Sequence, residues 1–276
     1  MDINEKVEFS IQKKYHKYLW TPFARAVTRY ELIKPGDRIA VCISGGKDSM
    51  LMAKLMQMLH RHSEVPFDVE YIVMDPGYSK ENREKIERNA SLLQIPINIF
   101  ETQIFDIANL QDKSPCYLCA RMRRGALYSK AQELGCNKIA LGHHFDDVIE
   151  TTVMAMFYGS QLQAMLPKLH STNFEGMELI RPLYMIKEEN IIRWCKYNGL
   201  EFIRCACRFT EKNASSDGGV GDSKRLEIKE LIKTLKKTNP VIDINIFHSL
   251  HTVNIDTFPG YKTNNETHSY LENYDN

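Results

Sequence analysis

The first two thirds of the chain alternate short apolar runs with longer stretches in which apolar residues recur at helical spacing. Residues 39–43 (Ile-Ala-Val-Cys-Ile) are continuous and rich in β-branched side chains, the pattern of a strand buried on both faces. Residues 67–74, 97–100, 138–141 and 180–183 are further short strands. Between them the pattern predicts helices over 47–62, over 79–93 with Ser79 as cap, from Asp146 and Asp147 onward, and over 187–197. Strands that alternate with helices predict an α/β fold with a doubly wound, mainly parallel sheet. Right-handed crossovers then put ligands at the carboxyl ends of the strands.

The flanks differ from this core. Residues 5–31 read as helical, with Trp20-Thr21-Pro22 breaking or restarting the helix. Lys13, Lys14, Lys17, Arg25 and Arg29 interleave there with Tyr15, His16, Tyr18 and Tyr30, a surface suited to an RNA backbone and equally to plain solvation. Pro35-Gly36-Asp37 turns the chain into the first strand. After a polar, glycine-rich loop over 211–223 come a basic helix over 224–237 and a last helix over 241–250, and the polar end from Asn264 is expected to fray. The chain divides into a helical segment 1–34, a core domain 35–210 and a helical segment 211–276.

Bulk properties narrow the class. A chain of 276 residues with a net charge of +1 is long enough for a large core and has no overall field that demands nucleic acid. No apolar run approaches the ~20 residues of a membrane span, and the amino end lacks a basic-then-apolar signal, so a cytoplasmic protein is expected. Seven cysteines then point to thiols or metal ligands rather than disulfides.

The chemistry concentrates in three places. Ser44-Gly45-Gly46-Lys47-Asp48-Ser49 lies between the first strand and its helix. Its glycines allow a tight turn and close approach, and free amides at a helix start face an anion, so this is a phosphate site. The adjacent glycines exclude the Walker spacing. Val73 and Asp75, at the end of the second strand, are candidates to line the same nucleotide pocket, Asp75 being equally a turn residue.

The second place is Cys116-x-x-Cys119, followed directly by Arg121, Arg123 and Arg124 with no acidic residue between 113 and 130. Arginines and a helix start favour thiolate, and the pair fits half of a zinc site, a redox dithiol or part of an iron–sulfur site. A third thiolate at Cys205 or Cys207 would complete a three-cysteine site, while Cys42, Cys136 and Cys195 fall inside apolar patterns as core thiols.

The third place is Gly142-His143-His144-Phe145-Asp146-Asp147, another glycine at a strand's end with carboxylates at a helix start. Asp147 is placed to hold Mg²⁺ on a triphosphate or to orient the activated group. Asp146 is a candidate cap. Neighbouring histidines point in different directions, so they are not taken as a metal pair, and His143 is the one expected to line the pocket.

Ser-Gly-Gly-x-Asp-Ser resembles the PP-loop of the ATP pyrophosphatases. With Gly36–Val41, Cys116-x-x-Cys119-x-Arg121-x-Arg123-Arg124-Gly125, residues 138–144, Asp146-Asp147, Met156-Phe157-Tyr158-Gly159 and Arg181-Pro182-Leu183, the chain resembles the tRNA 2-thiocytidine synthetase family from about Ile33 to Phe258. The more distant archaeal 2-thiouridine enzymes carry terminal zinc-binding cysteine pairs that this chain lacks.

The resemblance implies a PP-loop domain that adenylates the C2 oxygen of a pyrimidine, most naturally an anticodon-loop cytidine, and replaces it with sulfur. It implies ATP on Ser44, Gly45, Gly46, Lys47, Asp48, Ser49, Val73, Asp75, Gly142, His143 and Asp147, and catalytic parts for Asp48, Arg123 and Asp147. It implies Mg²⁺ and a [4Fe-4S] cluster held by Cys116, Cys119 and Cys205. The family usually shows Cys-x-x-Cys at the third ligand, whereas this chain has Cys205-Ala206-Cys207, so Cys207 stands as the alternative. The implied partners are tRNA and a sulfur donor, either a cysteine desulfurase persulfide or inorganic sulfide, with no membrane and an assembly compatible with a homodimer. Two other readings compete: the same chemistry on another RNA position or a small molecule, and a non-catalytic iron–sulfur protein that binds RNA and senses redox state.

Overall fold

The computed structural model describes residues 2–105, 115–203 and 220–274, and of residues 115–117, 220–223 and 273 the backbone alone. In chain order the elements are α1 (Ile3–Gln12), a π-helical turn at His16–Trp20, α2 (Thr21–Arg29), β1 (Arg38–Ile43), α3 (Lys47–His62), β2 (Asp68–Asp75), α4 (Lys80–Leu92) and β3 (Ile97–Glu101). They continue with α5 (Pro115–Glu133), β4 (Lys138–Ala140), α6 (Phe145–Gly159), β5 (Lys168–His170), β6 (Glu178–Ile180), α7 (Glu188–Asn198), α8 (Val220–Thr238), α9 (Ile242–Ser249), β7 (Gly260–Thr263) and β8 (Glu266–Ser269).

Six strands form one sheet in the order β3-β2-β1-β4-β6-β5, parallel except for the β5 edge. The chain winds outward through β2 and β3 on one side of β1, then returns to start β4 on the other. The crevice between the carboxyl ends of β1 and β4 is therefore the switch point at which such sheets bind ligands.

Side chains of β1 alternate between two cores. Ile39, Val41 and Ile43 face the helix layer holding Met50, Leu51, Leu55 and Met56 of α3, with Val7, Ile11, Phe23 and Trp194 in the same cluster. Ala40 and Cys42 face Tyr128 and Ala131 of α5, together with Ile72 and Ile139. Beneath the sheet's amino edge, buried Lys138 on β4 meets Asp37 at 2.8 Å, Glu178 at 2.9 Å and the Leu32 carbonyl at 3.0 Å. Burial would raise the Asp37 pKa, but hydrogen bonds from Lys138, Asn137 and the Lys34 amide outweigh it and hold the carboxyl below its ordinary value. This cluster ties the start of β1 to the start of β4.

Several expectations are corrected. α1 ends already at Gln12, an earlier break than expected, whereas the restart expected at Trp20-Thr21-Pro22 is where α2 begins, with Pro22 in its first turn, where a missing N–H costs nothing. The strand expected over 180–183 is β6 at Glu178–Ile180, because Pro182 has no N–H to continue a ladder. β5 is an addition, three residues too polar to read as a strand.

The compact units are Met1–Ile228 and Lys229–Asn276, dividing within α8. In the second, Lys236 pairs with buried Asp243 at 2.7 Å and Phe247 is buried. The polar end is a hairpin rather than frayed, since β7 and β8 pair antiparallel around Asn264 and Asn265, both at positive φ. A two-residue turn of that conformation favours asparagine.

Candidate active site

The turn after β1 is built from its own polar atoms. The Ser49 hydroxyl accepts from the Ser44 amide at 3.1 Å, lies 3.2 Å from the Ser44 hydroxyl, and donates to the Gly46 carbonyl at 3.0 Å. Gly45 sits at φ +82°, and a Cβ there would lie 2.5 Å from Ile86 Cγ1 and 2.7 Å from Ile203 Cδ1. Only glycine fits. Gly46 is the N-cap of α3 and supplies no side-chain cap, so the helix's first amides remain available for an anion.

Lys47 meets Asp48 at 3.0 Å and Glu188 at 2.9 Å. Burial works against its charge, but the two carboxylates outweigh it and raise its pKa. The other carboxylate oxygen of Asp48, Oδ1, is buried with no hydrogen-bond partner.

The turn after β4 approaches from the opposite side of the crevice. A Cβ on Gly142 would stand 3.1 Å from the Ser49 amide nitrogen, so the absence of a side chain lets the two turns touch. His144 is the N-cap of α6: its ring accepts from the Asp147 amide while the Asp147 carboxylate accepts from the His144 amide at 2.9 Å. The other Asp147 oxygen pairs with Arg225 at 2.7 Å, and Arg225 also reaches Glu150 at 3.0 Å. Asp146 accepts from the Glu188 amide at 2.7 Å and so anchors α7 rather than its own helix. His143 points into the crevice with Nδ1 buried and unpartnered. Burial, with Arg181 nearby, lowers its pKa to about 4, which keeps the ring neutral near pH 7.

A cavity of about 450 Å³ lies between these turns, lined by Ser44, Asp48, Ser49, Gly142, His143 and Asp147. Its far wall is α5, through Ala120, Arg123 and Arg124. Ile43, Met74, Leu141 and Arg225 also line it, and the sequence reading did not single them out. Ile43 and Leu141 carry the strand-end signal that marked their neighbours. Arg225 carries none, because it stands 78 positions from Asp147. The far side of the loop opens on a second hollow of about 740 Å³, where Gly46, Lys47 and Asp48 face Asn82, Lys85 and Ile203.

Two expected nucleotide contacts are not among the residues that line this cavity. Val73 is buried in the sheet opposite Ile43. The Asp75 carboxylate accepts from the Gly77 and Tyr78 amides and pairs with Arg83 at 3.0 Å, which makes it the anchor of its own turn.

The cysteine stretch is partly described. Positions 116 and 119 lie one turn apart at the amino end of α5, on the same face. Cys119 is half-buried, immediately before the residues that wall the cavity. Cys205 and Cys207 lie outside the described residues, but Ile203, just before them, donates from its amide to the Gly45 carbonyl at 3.3 Å. Two cysteine positions on one helical turn beside arginines suit part of an iron–sulfur site. Cys195 and Cys136 are core thiols, pushed by burial to about 12 and about 11. Among the described residues no cluster of three or more His, Cys, Asp or Glu side chains is arranged for a metal ion. Mg²⁺ usually takes only one or two carboxylates plus substrate phosphates, and the orphaned Asp48 oxygen fits that need.

Of the basic face near the amino end, Tyr15 is core, donating to the Arg193 carbonyl at 3.0 Å. Tyr18 is exposed, and Lys14 lies 3.8 Å above the Tyr197 ring. No helix among the described residues is long and apolar enough to cross a membrane.

Comparison with known proteins agrees with this geometry. Residues 10–208 match the model of the PP-loop domain family. The tRNA-cytidine(32) 2-sulfurtransferase of Geobacter metallireducens is 34% identical over 90% of this chain and 93% of its own length. The protein of the same name from Geotalea uraniireducens is 36% identical over 83% and 88% respectively. The fold is shared with the U34-tRNA thiolase NcsA of Methanococcus maripaludis, solved with its [4Fe-4S] cluster, at a TM-score of 0.65 and 21% identity over 84% of this chain and 76% of that one. A phosphate loop at the switch point, a cysteine pair opening the facing helix and relatives that match nearly end to end make this chain a member of the tRNA 2-thiocytidine synthetase family of PP-loop proteins.

Proposed function

We propose that the chain is an enzyme, an ATP- and iron–sulfur-dependent tRNA sulfurtransferase that exchanges the C2 oxygen of a pyrimidine for sulfur. The observation that carries this reading is that one cavity is walled on one side by the Ser44–Ser49 loop and on the other by the turn of α5 that follows Cys119. The names of the relatives favour cytidine over uridine.

The free amides at the start of α3, with the Ser44 and Ser49 hydroxyls, hold the phosphates of ATP. Asp48 would hold Mg²⁺, which would neutralise charge on the triphosphate. Asp147 is assigned a positioning part, since its oxygens are taken by the His144 amide and Arg225. The C2 oxygen of the base forms a bond to the α-phosphorus and pyrophosphate departs. Arg123 and Arg124, on the facing wall, offset the negative charge that builds on the phosphoryl oxygens. Cys116, Cys119 and Cys205 would hold a [4Fe-4S] cluster, which would supply the sulfur nucleophile. Addition of sulfur at C2 breaks the C2–O bond, and AMP leaves with the oxygen. Neutral His143 and the apolar Ile43, Met74 and Leu141 keep competing water from C2.

The test incubates anaerobically reconstituted protein with ATP, Mg²⁺, sulfide and unmodified tRNA, followed by mass analysis of nucleosides and assay of AMP. The expected result is 2-thiocytidine with one AMP per modified base, lost in Cys116→Ala and Cys205→Ala and kept in Cys207→Ala. AMP formation without any thiolated nucleoside would overturn the reading.

A further inference from the structure

On the far side of His143 lies another hollow, of about 810 Å³, sharing Ala120, Arg124, Leu141 and His143 with the phosphate-loop cavity. The two spaces therefore meet beside the phosphate loop's cavity, at His143 and Arg124. The hollow is within the size range of sites for small organic ligands, roughly 300–1,000 Å³.

Its chemistry is one-sided. Arg121, Arg124 and Arg181 line it with Ser171, Thr172 and Asn173, and among the described residues no carboxylate does so. The guanidinium of Arg181 donates to the Leu166 carbonyl, while its Nε is buried with no partner, as is Nδ1 of His143. Two polar atoms left unsatisfied on the hollow's lining, one of them on His143 where the two cavities meet, are costly unless a ligand meets them.

Gly125 is the second observation. It stands in the interior of α5, where glycine weakens a helix relative to alanine. A Cβ added there would meet nothing within 4 Å, and φ is not in the left-handed region. Nothing among the described residues calls for glycine, yet this bare position lines the hollow. A wall kept free of side chains beside arginines and unpaired polar atoms is what a flat, anionic ligand needs.

We propose that this hollow holds the pyrimidine nucleotide that is thiolated, with its phosphates on Arg121 and Arg181 and its base passing over Gly125 toward His143. The assignment rests on the tRNA sulfurtransferase reading and names the place where that reading's substrate enters. A nucleotide that reaches this hollow must leave its stack, as enzymes that act on a base require. His143 then faces the base at the junction, with Nδ1 free to hydrogen-bond its edge.

The test compares native protein with Gly125→Phe, which fills the hollow, Gly125→Ala, and Asn173→Asp, which puts a carboxylate on its exposed rim. Thermal midpoints check the fold, and ATP affinity checks the neighbouring cavity. Thiolation is followed at saturating ATP with varied tRNA. Gly125→Phe is expected to lose thiolation at least 100-fold with ATP affinity within about twofold of native, a split that separates base positioning from phosphate binding. Gly125→Ala, whose methyl enters the same wall, should melt no lower than native and raise the KM for tRNA, by less than Gly125→Phe does. Asn173→Asp should raise the KM for tRNA about tenfold and make it more sensitive to salt. Native-like thiolation by both Gly125→Phe and Asn173→Asp would overturn this inference and leave the sulfurtransferase reading standing. A native protein that thiolates no RNA would overturn that reading first and the inference with it.

Discussion

Two turns in this molecule share a plan and differ in one detail. Each leaves a parallel strand at the switch point, carries a glycine and starts a helix: Ser44–Ser49 between β1 and α3, and residues 141–147 between β4 and α6. The second closes on itself. His144 and Asp147 form a reciprocal cap, Asp147 pairs with Arg225 and Asp146 is spent on α7. The first satisfies its hydroxyls internally but leaves α3 without a side-chain cap. A helix start is a binding site only when its amides are left unanswered. The same supersecondary pattern thus leaves an open helix start in one place and a closed, rigid wall in the other.

The comparison can be broken at its foundation. Lys138→Met removes the cation that joins the feet of β1 and β4 and leaves Asp37 and Glu178 buried without it. A loss of about 3–5 kcal/mol is expected, read as a drop in the urea midpoint. Gly45→Ala strikes the open turn alone. A left-handed backbone and overlap with Ile86 should together cost about 2–5 kcal/mol, with AMP formation lost in a turnover assay. His144→Ala strikes the closed turn. Loss of that cap should lower stability by about 1 kcal/mol while the KM for ATP moves far less than in Gly45→Ala.

The smallest effect is a pH dependence. Asp37 has a lowered pKa when folded, so its contribution is present above the unfolded value and is lost as pH falls through the folded one. Urea midpoints below about pH 4 should decline in native protein, and part of that decline should vanish in Asp37→Asn.

Much of this was legible in the sequence because strand ends and glycines are local signals. The run at 39–43 with two glycines after it suffices to place the phosphate loop, and Cys116-x-x-Cys119 with three arginines marks the opposite wall. Val73 and Asp75 were less legible, since a strand end places a residue near the crevice without saying which way its side chain turns. Asp75 turned to its own loop amides and Arg83. Arg225 had no local mark, because its partners come from a helix far earlier in the chain. The terminal hairpin was missed because polar strands lack the apolar alternation, although two consecutive asparagines in positive φ hold its turn.

The most direct measurement is the ATP dissociation constant of Gly46→Asp beside native protein, by calorimetry with Mg²⁺ present. Gly46 has an ordinary φ of −78°, and a Cβ there meets only Ser44 Oγ at 3.6 Å and the Ile203 carbonyl at 3.9 Å, so the side chain fits. An aspartate at that position caps α3 and repels phosphate. ATP binding at least about tenfold weaker, with an unchanged or higher thermal midpoint, is the predicted result. Unchanged ATP affinity in a well-folded Gly46→Asp protein would contradict the claim that the uncapped start of α3 is the phosphate site.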